Sequence, residues 1–211
     1  MGRGNDFDAP SKSVGMPPSE TNGSEHGTDA DTDPLTIDYP SHPRVERLLT
    51  TLRDALEEIS LGFDRWEEPR VYGPGMYLAI VAGPSLEAFA DPMGANVWPD
   101  GGRDPLEEPG AFLEAATETA YTCDGAVVIS VDGIVSQQLV RFRMDAIESD
   151  LEYEPWMGAR HMSALDVSTR PDVIATLTLS EETGRVTVFE DGAYDSVERE
   201  AVGGPWRVTE A

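Results

Sequence analysis

The chain has 211 residues, 39% of them hydrophobic, with 20 glycines and 16 prolines, which suits one domain with one sizeable core and some loose chain. Its 40 acidic residues outnumber 15 basic ones and leave a formal net charge of −25. Such a surface repels nucleic acid and anionic lipid, so neither is expected as a partner.

Residues 1–42 are rich in Gly, Pro, Ser, Thr and Asp and almost free of clustered apolar side chains. They cannot bury enough surface to offset chain entropy, and a disordered acidic tail is expected there. Order is expected from residue 43 to 211. Val45, Leu48, Leu49, Leu52, Ala55, Leu56 and Ile59 recur at three- and four-residue spacing, the mark of an amphipathic helix. A loop over Trp66–Gly75 follows, and then Met76–Ala82 is a continuous apolar run of strand length closed by Gly83-Pro84. Pro92 to Pro109 is rich in breakers and reads as irregular chain. A second helix is expected over Gly110–Tyr121, with Phe112, Leu113, Ala116 and Ala120 on one face.

Ala126–Val131 reads as a buried strand, Asp132-Gly133 as a hairpin turn, and Ile134–Met144 as the return strand. A short helix is expected around Trp156–Leu165. Val173–Leu179 and Val186–Phe189 read as strands joined by the turn Ser180–Gly184. Helices mixed with hairpins predict an α/β fold with a mixed β-sheet core flanked by helices.

The bulk properties also bear on location. A net charge of −25 repels itself in dilute buffer, but at molar salt the Debye length is about 3 Å and that repulsion is screened. We read the balance as the signature of a halophilic, archaeal cytoplasm. No run of about 18 apolar residues is present, so no membrane span is expected. The opening Met1-Gly-Arg-Gly-Asn-Asp lacks the apolar core of a secretory signal, and a cytoplasmic protein is expected. The single cysteine, Cys123, excludes an intrachain disulfide and a Cys-cluster zinc site and is read as a small buried residue.

Three short segments carry chemistry. Asp124-Gly125-Ala126 lies between a helix and a buried strand, where a carboxylate can hold a cation and a glycine permits close backbone approach. Gly158-Ala159-Arg160-His161 opens a helix, where N–H groups and a guanidinium suit phosphate. Ser180-Glu181-Glu182-Thr183-Gly184 offers adjacent carboxylates and hydroxyls for a divalent cation and phosphate oxygens. Taken singly, each reads more simply as a polar turn or a solvated helix start.

In order, however, the three segments resemble the diadenylate cyclase domain family. That family shows an Asp-Gly-Ala motif after a helix, then Gly-Thr-Arg-His-Arg, then a Ser-Glu-Glu-Thr-Gly turn between strands. The resemblance is strong from about residue 110 to 192, weaker from 43 to 109, and absent from the tail. It implies a metal-dependent nucleotidyltransferase that condenses two ATP into cyclic di-AMP and two pyrophosphates. The metal implied is magnesium, manganese or cobalt. It implies also a homodimer or higher homo-oligomer in which two sites face each other. Carried over by residue, Asp124, Arg160 and His161 are the expected catalytic groups. Gly125, Ala126, Arg160, His161, Ser180 and Glu181 would bind nucleotide, and Asp124 and Glu181 the metal.

Two positions depart from the pattern. Ala159 stands in place of threonine, and Met162 in place of the second arginine. Arg141 or Arg143 could restore the missing charge. The departures leave a second reading open, a nucleotide-binding module that senses ATP or cyclic di-AMP without turnover.

Overall fold

The computed structural model describes residues 39–83, 89–143 and 151–203. The expected acidic tail therefore lies outside the described residues except for its last four positions. Helix α1 spans Pro43–Gly62 and starts where the sequence places it. Its cap is His42, whose Nδ1 accepts from the Arg44 N–H at 3.2 Å, and Pro43 occupies the first turn, where no N–H is needed. The apolar stripe Val45, Leu48, Leu52, Leu56 and Ile59 is buried throughout.

Strand β1 is Met76–Val81, buried at every position. Strand β2 is Ala90–Val97, helix α2 is Pro109–Thr122, and strand β3 is Val127–Ser130. Strand β4 (Gln138–Phe142) and helix α3 (Ala159–Ser168) follow. Strands β5 (Val173–Leu179), β6 (Val186–Glu190) and β7 (Ala193–Val197) complete the described elements, with a short 3-10 turn over Arg199–Ala201.

The main sheet has the order β3-β1-β5-β6-β7. β1 and β3 are parallel, and the remaining neighbours are antiparallel. The mixed α/β architecture expected from the pattern is thus present. β1 is an interior strand, between β3 and β5, and serves two layers by alternation. Met76, Leu78 and Ile80 join the apolar layer under α1 and α2, with Leu48, Leu52, Leu56, Phe112 and Ala116. Tyr77, Ala79 and Val81 join the opposite layer, with Ala164, Leu165 and Val167 of α3 and Phe89, Val140 and Phe142.

The sequence expectations need three corrections. The return strand is shorter than Ile134–Met144, and Met144 lies outside the described residues. The Asp132-Gly133 turn does form, with Ser130 N–H donating to the Ile134 carbonyl at 3.0 Å. Beyond it the return chain keeps only isolated antiparallel bridges to the β3 side, Ile129–Val135 and Ala126–Val140, and β4 pairs antiparallel with β2 in a two-stranded sheet. β2 itself falls inside the stretch read as irregular. Pro92 is tolerated there because the ladder is a short edge pair whose register shifts between Pro92 and Val97. Finally β7, too polar to stand out as a strand, adds the outer edge beside β6.

Among the described residues no helix is long and apolar enough to cross a membrane.

Candidate functional site

Asp124, Gly125 and Ala126 form the link from α2 to β3. Helix α2 ends at Cys123, whose backbone turns extended. Cys123 itself is half-buried against the apolar layer rather than fully buried. Gly125 then takes φ +92°, a conformation glycine adopts at little cost. A Cβ at this position would lie 2.8 Å from Met93 Cγ and 2.9 Å from the Val140 carbonyl oxygen. Ala126 pins the link to β4 by two backbone hydrogen bonds with Val140, of 2.7 and 2.9 Å. The result leaves the Asp124 side chain 76% exposed, its Oδ1 accepting from the Gly125 N–H at 2.7 Å.

The second segment starts α3. Gly158 caps the helix without a side-chain hydrogen bond, and Ala159, Arg160 and His161 of its first turn line the cavity described below. The Arg160 side chain is only 24% exposed and reaches both other segments. Its Nη1 donates to Glu181 Oε2 at 3.3 Å, and its Nη2 lies 3.8 Å from Asp124 Oδ1. His161 points inward and is 6% exposed, with Nε2 buried and without a hydrogen-bond partner. The edge of the Trp156 ring meets it at 5.2 Å. Burial, with the nearby charges of Arg160 and Arg185, pushes its pKa down to about 4. At neutral pH the ring is uncharged, so it offers a hydrogen bond and not a positive charge.

The third segment is the β5–β6 turn. Ser180 is buried, and its Oγ accepts from the N–H groups of Glu182 (3.4 Å) and Thr183 (3.3 Å). It therefore shapes the turn while also facing the cavity. The loop after α1 holds this turn from behind. Gly73 N–H donates to the Glu181 carbonyl at 2.7 Å, Ser60 Oγ donates to the Gly184 carbonyl at 2.7 Å, and the Trp66 indole lies against Gly184.

All three segments line one cavity of about 510 Å³, within the usual range for a small-molecule site. Every residue expected at the site from the sequence is on its wall: Asp124, Gly125, Ala126, Arg160, His161, Ser180 and Glu181. Of the two arginines considered as substitutes, Arg141 faces this cavity, whereas Arg143 pairs with Asp91 at 2.7 Å. Ala159 is on the wall, but Met162 packs into the apolar layer beneath α3.

Sequence reading did not find the other half of the cavity. Tyr77, Met93, Val140, Phe142 and Trp156 add apolar surface to its wall. Burial raises the Tyr77 phenol far above its ordinary pKa, with the Ser163 hydroxyl pulling weakly the other way, so the phenol stays protonated. The Arg185 guanidinium covers the Trp156 ring at 4.6 Å and Tyr194 meets it edge-on at 5.7 Å. A lone tryptophan just before a helix start was the one visible signal, and it reads equally well as packing.

Comparison with known proteins points the same way for part of the chain. Residues 110–194 match the family model described as DAC, DisA bacterial checkpoint controller nucleotide-binding. This stretch, less than half of the chain, contains Asp124, Arg160 and Glu181. No curated protein is similar enough to count as a match. Among solved structures, a hypothetical membrane spanning protein from Bacillus cereus is 18% identical with a TM-score of 0.48. That match covers 71% of this chain and 63% of the Bacillus protein, so the chain spans less than two thirds of its length. A double mutant of DacA from Staphylococcus aureus is 19% identical with a TM-score of 0.44, over 74% of this chain and 89% of the other.

Proposed function

We propose that this chain is a diadenylate cyclase, condensing two ATP into cyclic di-AMP with release of two pyrophosphates. The observation that carries the reading is the convergence of Asp124, Arg160, His161, Ser180 and Glu181 on one cavity within a stretch that matches the nucleotide-binding family. In each half-reaction a 3′-hydroxyl attacks the α-phosphate of a second ATP, and the bond to pyrophosphate breaks. The reaction needs two bound nucleotides, so two cavities must face each other in a homodimer or larger homo-oligomer.

Nucleotidyl transfer depends mainly on positioning and on neutralising charge at the reacting phosphate. Arg160 is the cation placed to do this, its fork matching two phosphate oxygens. The open amides at the start of α3 add donors to the same oxygens. Neutral His161 and the Ser180 hydroxyl contribute hydrogen bonds, while Gly125 and Ala126 let the nucleotide approach the backbone. Asp124, on the open side of the cavity, accepts the hydrogen bond of the incoming 3′-hydroxyl and orients it. The apolar side formed by Val140, Phe142 and Trp156 is suited to a purine ring.

The donor set fits a divalent cation such as magnesium, manganese or cobalt. Among the described residues no three His, Cys, Asp or Glu side chains form a metal site by themselves. Magnesium-type sites at nucleotides typically use one or two carboxylates and complete their shell with phosphate oxygens and water. Asp124 and Glu181, both within reach of the Arg160 guanidinium, supply that pair. Such an ion would lower the negative charge at the phosphates.

Incubation with ATP and Mn²⁺ or Mg²⁺ in molar KCl should yield cyclic di-AMP by chromatography, and Asp124→Asn should lower the rate about 100-fold or more with the fold intact. No product from wild type under either metal would end the cyclase reading. The halophilic, cytoplasmic setting rests on the net charge of −25. Equal thermal stability in dilute and molar KCl would count against it.

A second reading is a nucleotide-binding module without turnover. Two observations favour it: Ala159 brings no hydroxyl to the wall, and Met162 turns away from the cavity into apolar packing. Calorimetry that detects ATP binding with no product under any metal would select it.

A further inference from the structure

Arg160 lies between the two carboxylates expected to hold a cation. Its Nη1 is 3.3 Å from Glu181 Oε2 and its Nη2 is 3.8 Å from Asp124 Oδ1. The guanidinium has this place because residue 75 has no side chain. A Cβ on Gly75 would lie 2.5 Å from Arg160 Nη1 and 3.0 Å from Glu181 Oε2. Gly75 is buried and tied to α2, its N–H donating to the Ala120 carbonyl at 3.0 Å, so it cannot easily retreat.

We propose that Arg160 is the resident counter-cation of this site, and that a divalent ion gains Asp124 and Glu181 only once a nucleotide's phosphates have drawn the guanidinium off them. The inference rests on the nucleotidyltransferase reading of the cavity and adds an order of binding to it. The physical case has three parts. A divalent ion and a guanidinium repel each other and cannot share the same two carboxylates. Two carboxylates with water alone make a weak site for an oxygen-seeking cation that is costly to dehydrate. A triphosphate removes both obstacles together: it offers Arg160 a bidentate anion and offers the ion its missing oxygens. Nucleotide and metal binding are then positively coupled, and reciprocally so. The arrangement would also keep this very acidic protein from filling the site with cations when no nucleotide is present.

The test is titration of Mn²⁺ alone, followed by electron paramagnetic resonance of the free ion, in molar KCl without nucleotide. Molar salt shortens the Debye length to about 3 Å, which suppresses effects of charge at a distance. Arg160→Gln is expected to bind Mn²⁺ about 10-fold more tightly than wild type through loss of the competing charge. Arg141→Gln removes the same charge from the wall of the same cavity and is expected to change the affinity less than about 3-fold under that screening. Gly75→Ala keeps all charges but crowds the guanidinium, and it should raise the affinity in the same direction as Arg160→Gln.

Unchanged Mn²⁺ affinity in both Arg160→Gln and Gly75→Ala would overturn the proposal. So would an equal gain in Arg141→Gln, because net charge and not occupancy would then explain it. Failure of the cyclase reading shows separately, as absence of ATP binding or of product in the wild-type protein.

Discussion

The two faces of the main sheet are built to different rules. In the layer beneath α1 and α2, Leu48, Leu52, Leu56, Leu78, Phe112, Ile129 and Leu177 are nearly inaccessible to solvent, and the buried polar groups Glu57, Ser60 and Thr119 are hydrogen-bonded, to Arg53, the Gly184 carbonyl and the Ala115 carbonyl. The layer beneath α3 mixes Ala79, Val128 and Leu165 with buried polar groups. Thr176 Oγ1 satisfies the Ala164 carbonyl at 2.8 Å, but His161 Nε2 and Thr178 Oγ1 are buried without hydrogen-bond partners. An unpaired buried polar atom costs about 1–3 kcal/mol. One face is closed by apolar packing, and the other borders the cavity.

Three measurements would break or sharpen this contrast. The largest effect is expected on the sealed face. Leu52→Ala should cost about 2–5 kcal/mol in denaturant unfolding at molar KCl, as buried leucine truncations do, while nucleotide affinity stays close to wild type. A large loss of affinity at small stability cost would mean that the two layers are not separate in function.

Next is the acid response of the polar face. The folded His161 ring resists protonation until about pH 4, whereas the unfolded ring titrates near 6.5. Between those values the unfolded chain binds more protons, so stability falls as pH drops through the window. The loss is bounded at about 3 kcal/mol. Acid also protonates carboxylates and relieves the net negative charge, which acts in the opposite sense. The readout is therefore the difference between wild type and His161→Phe, which should lose the component between pH 6.5 and 4. Parallel stability curves for the two proteins would show that His161 does not sit as buried and neutral as the geometry implies.

The smallest effect is at Gly125. Alanine there meets a positive φ at a cost of about 1–2 kcal/mol and would crowd Met93 and the Val140 carbonyl. Nucleotide affinity should fall by roughly 10-fold with only this modest loss of stability. Unaltered nucleotide binding in Gly125→Ala would remove the α2–β3 link from the cavity's working wall.

The two faces also differed in how far the sequence disclosed them. Helices α1 and α2 announce themselves by three- and four-residue apolar spacing, and β1 by an unbroken apolar run, because each pattern reports burial against the rest of the chain. The motif residues were legible as short strings in order. Their local shapes follow from local causes: glycine at 125, a helix start at 158, and a Ser-capped turn at 180. The apolar half of the cavity was not legible, since Val140, Phe142 and Tyr77 look like ordinary strand residues. β2 was hidden by Pro92 and Gly94, and β7 by its polarity at the sheet edge.

By itself the sequence determined the amphipathic helices, the buried strand β1, the acid-rich surface and which residues bring charge or hydroxyl groups to the turns. Those features depend on neighbours within a few positions or on composition. Only the tertiary structure decided that Asp124, Arg160 and Glu181 share one cavity, that Arg141 faces it while Arg143 pairs with Asp91, and that Met162 packs, partly buried, against the apolar layer. It also decided that β4 takes β2 as its ladder partner and keeps only an isolated bridge to the β3 side. Each of these depends on how a helix rotates or which edge a strand meets, and that is settled by packing between segments far apart in the chain.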